Sequence, residues 1–223
     1  MNVSDAIRAR HSTRAFTNEP VSRALVEELL DVARYAPTGG NLQPWKVYAT
    51  AGEVKDRIIA SVAAQLHQHP LGKASEYKVY PPKLEEPFLT RRSRVGEALY
   101  ATLGIARADR VGRLGQYAKN WQFFGAPVGL FFTIRRDMEP GQWADVGMFM
   151  QNLMLLAEER GLDTCAQESW AAWHEVVRSE LPIPSEELLF CGMALGHAQA
   201  DAPINQLRTE RAEVAEFALF HGF

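Results

Sequence analysis

Arg10, Ser12 and Arg14 stand at alternate positions of the polar run Arg10-His11-Ser12-Thr13-Arg14. In an extended or irregular segment alternate side chains share a side, so two guanidinium groups and a hydroxyl can converge on one anion. Guanidinium forks match a phosphate or a polarised carbonyl. Arg208 with Arg211 is a second basic pair, in the C-terminal part of the chain. The run Pro37-Thr38-Gly39-Gly40-Asn41-Leu42-Gln43-Pro44-Trp45 offers different chemistry. There a helix stops at a proline, and a loop rich in amide and hydroxyl groups leads into a strand. Asn41 and Gln43 supply donors and acceptors together, which suits a ring with alternating N–H and C=O groups.

Other chemistries lack their residues. No GxGxxG follows a strand and no GxxxxGK[ST] occurs, which argues against a Rossmann pyrophosphate turn and a P-loop. Neither GxSxG nor HExxH is present. His67-x-His69 has no third ligand at a recognised interval, so no metal is expected. Cys165 and Cys191 stand 26 apart, without the spacing of a disulfide framework or a thiolate zinc site. A formal charge of −3 argues against nucleic acid and an anionic membrane as partners. No run of 18 apolar residues occurs, and the start of the chain lacks a signal peptide's basic and apolar regions. The chain therefore reads as a soluble, cytoplasmic protein, and 47% hydrophobic with 23% charged residues is the composition of one that folds.

The elements that must position these residues follow from periodicity. Ser4 is a candidate cap for a short helix to Ala9, and Ser22 caps a better one in which Leu25, Leu29, Val32, Ala33 and Ala36 recur at spacings of three and four until Pro37. Trp45–Thr50 reads as a strand and Glu53–Gln65 as a helix. From His67 to Phe88 four prolines break any period, and loops of such length inside a domain are commonly lids. A flexible flap is expected over about 67–90. Helical patterns run from Arg91 to Leu103 and from Arg107 to Gln122, followed by an apolar strand from Val128 to Ile134. Trp143–Arg160 is the longest helix candidate, with a wide, Met-rich stripe and Gly161 as its C-cap. A short extended piece near Thr164, a helix over Trp173–Glu180, a strand over Leu188–Leu195 and a tail from 198 to 223 complete a single α and β domain spanning 1–223.

In order and spacing, four motifs resemble the FMN-dependent nitroreductase family. They are Arg10–Arg14; Pro37–Trp45; Gly161-Leu162-Asp163-Thr164-Cys165 with Glu168-Ser169-Trp170; and Arg208. Phe123-Phe124-Gly125-Ala126-Pro127 and Leu207-Arg208-Thr209-Glu210-Arg211 point to the nitrobenzoate reductase-like branch. The resemblance implies an α+β fold with a central mixed sheet flanked by helices, forming a homodimer with FMN at the subunit interface. The broad stripe of Trp143–Arg160 would then partly face the second subunit.

By carry-over, Arg10, Ser12 and Arg14 hold the FMN phosphate and the pyrimidine end of the flavin. His11 contributes through its backbone, and Arg208 joins at the phosphate. Pro37, Thr38, Gly39 and Asn41 reach the same flavin from the other chain. Ala166-Gln167-Glu168-Ser169 matches the place where a backbone N–H meets flavin N5, which favours the reduced, electron-rich ring. Ribityl contacts fall between Tyr77 and Asn120, with Lys119 and Asn120 as candidates. Trp121, Phe123 and Phe124 are candidates to shape the substrate pocket, although aromatics before a strand are more often core. No side chain is needed as a nucleophile. The implied activity is ping-pong: NADH or NADPH delivers hydride, then a nitroaromatic acceptor takes it. A quinone, an enone or free flavin as acceptor, and a flavin-binding module with little turnover, are the alternatives.

Overall fold

A computed structural model describes residues 1–223. Four strands form one sheet in the order β1 (Lys46–Ala51), β2 (Val128–Arg135), β4 (Glu187–Gly196), β3 (Asp163–Gln167). Every neighbouring pair is antiparallel. The expected mixed sheet is thus corrected to an antiparallel one, and parallel pairing is limited to an isolated bridge between Ser12 and Thr164. The reason is connectivity: the chain returns to the sheet in alternating directions and adds only that single residue alongside β3.

The central strands are buried on both faces, which is why they read as continuous apolar runs rather than alternating ones. Successive residues of β2 point to opposite faces. Leu130, Phe132 and Ile134 enter one core with Val26, Leu29 and Ala33 of α2 (Arg23–Ala33) and Val146, Phe149 and Leu153 of α6 (Pro140–Glu159). Phe131 enters the other, with Ile58 and Val62 of α3 (Gly52–Ala63), Trp121, Phe123, Trp170 and Trp173, and Val177 of α7 (His174–Glu180).

Several boundaries move for identifiable reasons. Helix α1 (Val3–Ala9) is capped by Asn2, whose side chain accepts from the Asp5 N–H, rather than by Ser4. Ser22 caps α2 as its spacing indicates, accepting from Leu25 N–H at 3.2 Å. Helix α6 begins at Pro140, three residues before the apolar stripe, because proline is tolerated at a first helical position and Glu139 and Gln142 form a capping box there. Helix α4 (Phe88–Ala101) starts within the stretch expected to be flap.

The pattern expected to continue to Gln122 stops at Ala118, where α5 (Arg110–Ala118) gives way to a tight turn over Lys119–Gly125. Phe123 and Phe124 there have φ of 49° and 53°, a region bulky residues rarely enter. Packing imposes it: the Phe123 ring lies so close to Gly129 of β2 that a Cβ on that glycine would sit 2.4 Å from it. The tail contributes a turn over Pro203–Gln206 and α8 (Val214–Phe217).

Candidate functional site

Three regions carry the polar groups singled out in the sequence. The first is a corner between α1, the start of β3 and the tail. The Thr13 N–H donates to the Thr164 carbonyl at 3.0 Å and its hydroxyl to Asp163 Oδ1 at 3.0 Å, so Thr13 faces inward and is fully buried. Alternation then turns the neighbouring Ser12 and Arg14 the other way, and both are half-buried. Asn205 ties the tail to this segment. Its Oδ1 accepts from Arg14 N–H at 2.8 Å, while its Nδ2 donates to the Ala15 and Gln199 carbonyls at 2.8 and 3.0 Å. Arg208 Nη1 donates to the Asn205 carbonyl at 2.8 Å, and Arg14 Nη1 to the Ser12 carbonyl at 3.1 Å.

Electrostatics confirm the convergence. Burial lowers the affinity of the His11 ring for a proton, and the charges of Arg208 and Arg10 lower it further against the pull of Asp163. Burial and Asp163 raise the Glu158 carboxyl, while Arg10 and Arg208 oppose them. Burial pushes the Cys165 thiol up, against Arg14, Ser12 and Arg10. Arg10, Ser12, Arg14 and Arg208 therefore share one neighbourhood. Asp163 is already spent on Thr13 and on the Ala198 N–H, at 3.0 Å each. Arg211 folds onto Thr209 instead.

The second region is the loop after α2. The Gln43 N–H donates to Thr38 Oγ1 at 3.2 Å, and its side chain to the Asn41 carbonyl and Oδ1 at 3.2 Å each. Asn41 and Gln43 both have positive φ, of 55° and 49°. One bond reaches outside the loop: Gly39 N–H to Asp145 Oδ2 on α6, at 3.2 Å. Pro37, Gly39, Asn41 and Leu42 are exposed, Leu42 by 55%.

The third is a cleft of about 640 Å³ between the end of β3, α6 and the segment before α4. Ala166, Gln167, Glu168 and Ser169 line one side, Met150 and Met154 another. Ser75, Val79 and Tyr80 come from the stretch expected to be a mobile cover. That stretch has no helix or strand before α4, but its first half is strapped to the sheet and to the turn after β3. Lys73 N–H bonds the Ala172 carbonyl at 3.0 Å, and the Tyr77 hydroxyl bonds the Phe190 carbonyl at 2.5 Å. Glu76 accepts from Arg136, from Arg178 and from Leu189 N–H. Burial alone would raise the Glu76 carboxyl; the Arg136 bond and the charges of His174 and Arg178 outweigh it and hold it below the ordinary value of 4.5.

The sequence pattern of the Nitroreductase family matches residues 7–197. This chain belongs to the Nitroreductase family. It is 39% identical over 218 residues to a nitrobenzene nitroreductase of Ectopseudomonas oleovorans, covering 98% of this chain and 96% of that one. It is 37% identical to a 4-nitrobenzoate reductase of Pseudomonas putida, covering 97% and 94%. The crystal structure of the FMN and NADPH-dependent nitroreductase NfnB from Sphigopyxis sp. strain HMH superposes over 100% of both chains with a TM-score of 0.97 at 45% identity. The NADPH complex of the FMN-dependent NfnB from Mycobacterium smegmatis gives 0.93 at 26%, covering 98% of each chain.

In this nitroreductase-family chain the aromatic residues take the core position, the commoner of the two expected from their sequence. Trp121, Phe123 and Phe124 do not line the cleft; they are buried in the core beneath it. Phe123 stacks on Trp170 at 4.6 Å, and Trp121 Nε1 donates to the Ser169 carbonyl at 3.1 Å. They support the Ala166–Ser169 turn from behind. Asn120 does reach the cleft and takes a bond from Gln167 Nε2 through its carbonyl, whereas Lys119 is not among the lining residues. Asn205 went unnoticed in the sequence, since a lone asparagine in a polar tail carries no periodic or motif signal.

Four buried polar atoms near the corner and the cleft fit a polar ligand. His11 Nε2, Thr164 Oγ1, Gln167 Oε1 and Ser169 Oγ are buried without a hydrogen-bond partner in the chain. Unpartnered buried polar atoms cost roughly 1–3 kcal/mol each, so clustering them at the corner and the cleft is consistent with groups awaiting a ligand.

Proposed function

We propose that this chain is an FMN-dependent oxidoreductase that uses NADPH or NADH to reduce nitroaromatic compounds, working as a homodimer in the cytoplasm. The observation that carries the reading is the joining of Arg14 and Arg208 by Asn205 at the corner that also holds Arg10 and Ser12, with Ala166–Ser169 continuing from the adjoining strand into the cleft. Three guanidinium groups against the two carboxyls of Asp163 and Glu158 leave a net positive place for a phosphomonoester.

When bound, FMN supplies reversible storage of a hydride at N5. The chain does the rest. Arg10, Ser12, Arg14 and Arg208 bind the phosphate end. Glu168 and Ser169 open a tight helical turn whose first amides have no intrahelical acceptor, so they are available to a ring nitrogen that gains electron density. Trp121 holds that turn from below. Met150, Met154, Phe190 and Val79 exclude water around the reacting ring.

The homodimer rests on two features. The chain exposes 12,902 Å², where a compact protein of 25.0 kDa would expose about 10,200 Å². The surplus includes apolar side chains of α1, α2 and the following loop, among them Ile7, Val32, Tyr35 and Leu42. Pro37, Thr38, Gly39 and Asn41 lie on that face and would complete the partner's flavin site.

Protein incubated with FMN and desalted is expected to stay yellow, to bleach anaerobically with NADPH or NADH, and to recover its colour with nitrobenzene. Protein that emerges colourless after incubation contradicts the reading.

A further inference from the structure

Among the residues lining the 640 Å³ cleft, Arg92 is the one cation and Glu168 the one carboxyl. The neighbours of Arg92 on α4 are engaged: Arg91 pairs with Glu216 at 3.0 Å and Arg94 approaches Glu210 at 3.8 Å. Arg92 has no carboxylate partner and donates no hydrogen bond within the chain. Its guanidinium lies over the Tyr80 ring, 4.5 Å from the centroid. Stacking fixes the plane of a guanidinium and leaves its N–H edges free to form a fork. Tyr80 stands just after the stretch anchored by Glu76 and Tyr77, so the ring beneath Arg92 follows directly on a tethered segment.

The rest of the cleft is suited to a flat apolar body. Met150, Met154, Phe190, Val79 and Tyr117 form its walls. Glu168 stands at the start of the helical turn that follows β3, whereas Arg92 belongs to α4. An anionic substituent would be drawn to Arg92, the one cation of the lining. The electron-poor end of the same molecule would then be directed towards the Ala166–Ser169 turn.

We propose that Arg92 is a specificity-determining residue, which selects aromatic acceptors bearing a carboxylate over neutral ones by taking the carboxylate on its guanidinium fork. The inference rests on the oxidoreductase reading above and deepens it. It adds no chemical step: the guanidinium orients the acceptor.

The test uses oxidised FMN-loaded enzyme and two probes that cannot be reduced, benzoate and its neutral counterpart benzamide, titrated by calorimetry. Benzoate is expected to bind at least tenfold more tightly than benzamide. Arg92→Gln should erase that preference without altering FMN content, and Arg92→Lys should restore part of it. In turnover, the kcat/KM ratio of 4-nitrobenzoate to nitrobenzene should fall at least tenfold in Arg92→Gln, chiefly through KM. Equal binding of the two probes, no binding of either, or a preference that survives Arg92→Gln overturns the proposal. Because calorimetry needs no turnover, these outcomes stay distinct from a failure of NADPH to bleach the flavin, which would reject the underlying function instead.

Discussion

The corner at Arg10–Arg14 and the loop at Thr38–Gln43 are both irregular backbone carrying polar groups, yet the chain treats them differently. At the corner, bonds spanning most of the sequence length, from Thr13 to Asp163 and Thr164 and from Arg14 and Ala15 to Asn205, fix every turn of the backbone. In the loop, side chains bond one another, and one amide, that of Gly39, reaches another element. A region whose backbone is tied down, with half-buried side chains and the unpartnered His11 Nε2 and Thr164 Oγ1, is ready for its ligand. The other is exposed, with two non-glycine residues at positive φ, and is the part we propose a second copy completes. The two halves of the proposed flavin site thus differ in how the chain itself holds them: long-range bonds fix the first, and mostly local bonds shape the second.

Substitutions can break or sharpen that contrast. The largest effect is expected at Asn205. Asn205→Ala strands the Arg14 N–H and the Ala15 and Gln199 carbonyls, so unfolding in urea should show a loss of about 3 kcal/mol, with FMN binding lost as well. A loss under 1 kcal/mol would mean the corner is not held as described. Next come Arg14→Ala and Arg208→Ala, each expected to weaken FMN binding by about 1.5–3 kcal/mol with little change in folding stability, read by equilibrium dialysis.

Glu76→Gln asks whether the strapped wall belongs with the finished half, and about 1.5 kcal/mol of stability should disappear at neutral pH. Its pH dependence has a definite sign. A carboxyl held below its ordinary 4.5 contributes stability that is fully present above that pH and fades as pH falls through the lower folded value. The gap between the parent and the variant should therefore close in acid, below about pH 4.5; a gap that widens there contradicts the ion cluster. The smallest effect is expected at the loop. Asp145→Asn keeps an oxygen but removes the charge facing Gly39, and should cost about 0.5–1 kcal/mol of FMN affinity and almost no stability.

Legibility followed the range of the interactions involved. Ser22 caps α2 by a local rule, as its type predicts, whereas the helix closes at Ala33, four residues before the Pro37 expected to stop it. The alternation of Arg10, Ser12 and Arg14 is local too, and the structure retains it because Thr13 between them is drawn inward. What stayed hidden depends on distant partners. Nothing near Phe123 and Phe124 announces a left-handed turn; it comes from a glycine on β2 that lets a ring slide beneath the strand. The Pro-broken stretch read as a cover because its lack of period is visible, whereas the bonds of Glu76 to Arg136, Arg178 and Leu189 are not. Asn205 and Asp145 each act through a single long-range geometry that composition and spacing do not encode.

Sedimentation velocity monitored at the flavin absorbance, over a dilution series of FMN-loaded protein, tests most directly whether the site needs two copies. The absorbance should travel with a species of twice 25.0 kDa, and dilution that splits it should release the flavin as a free small molecule. Flavin sedimenting with the single 25.0 kDa chain would contradict a site completed by the partner's loop.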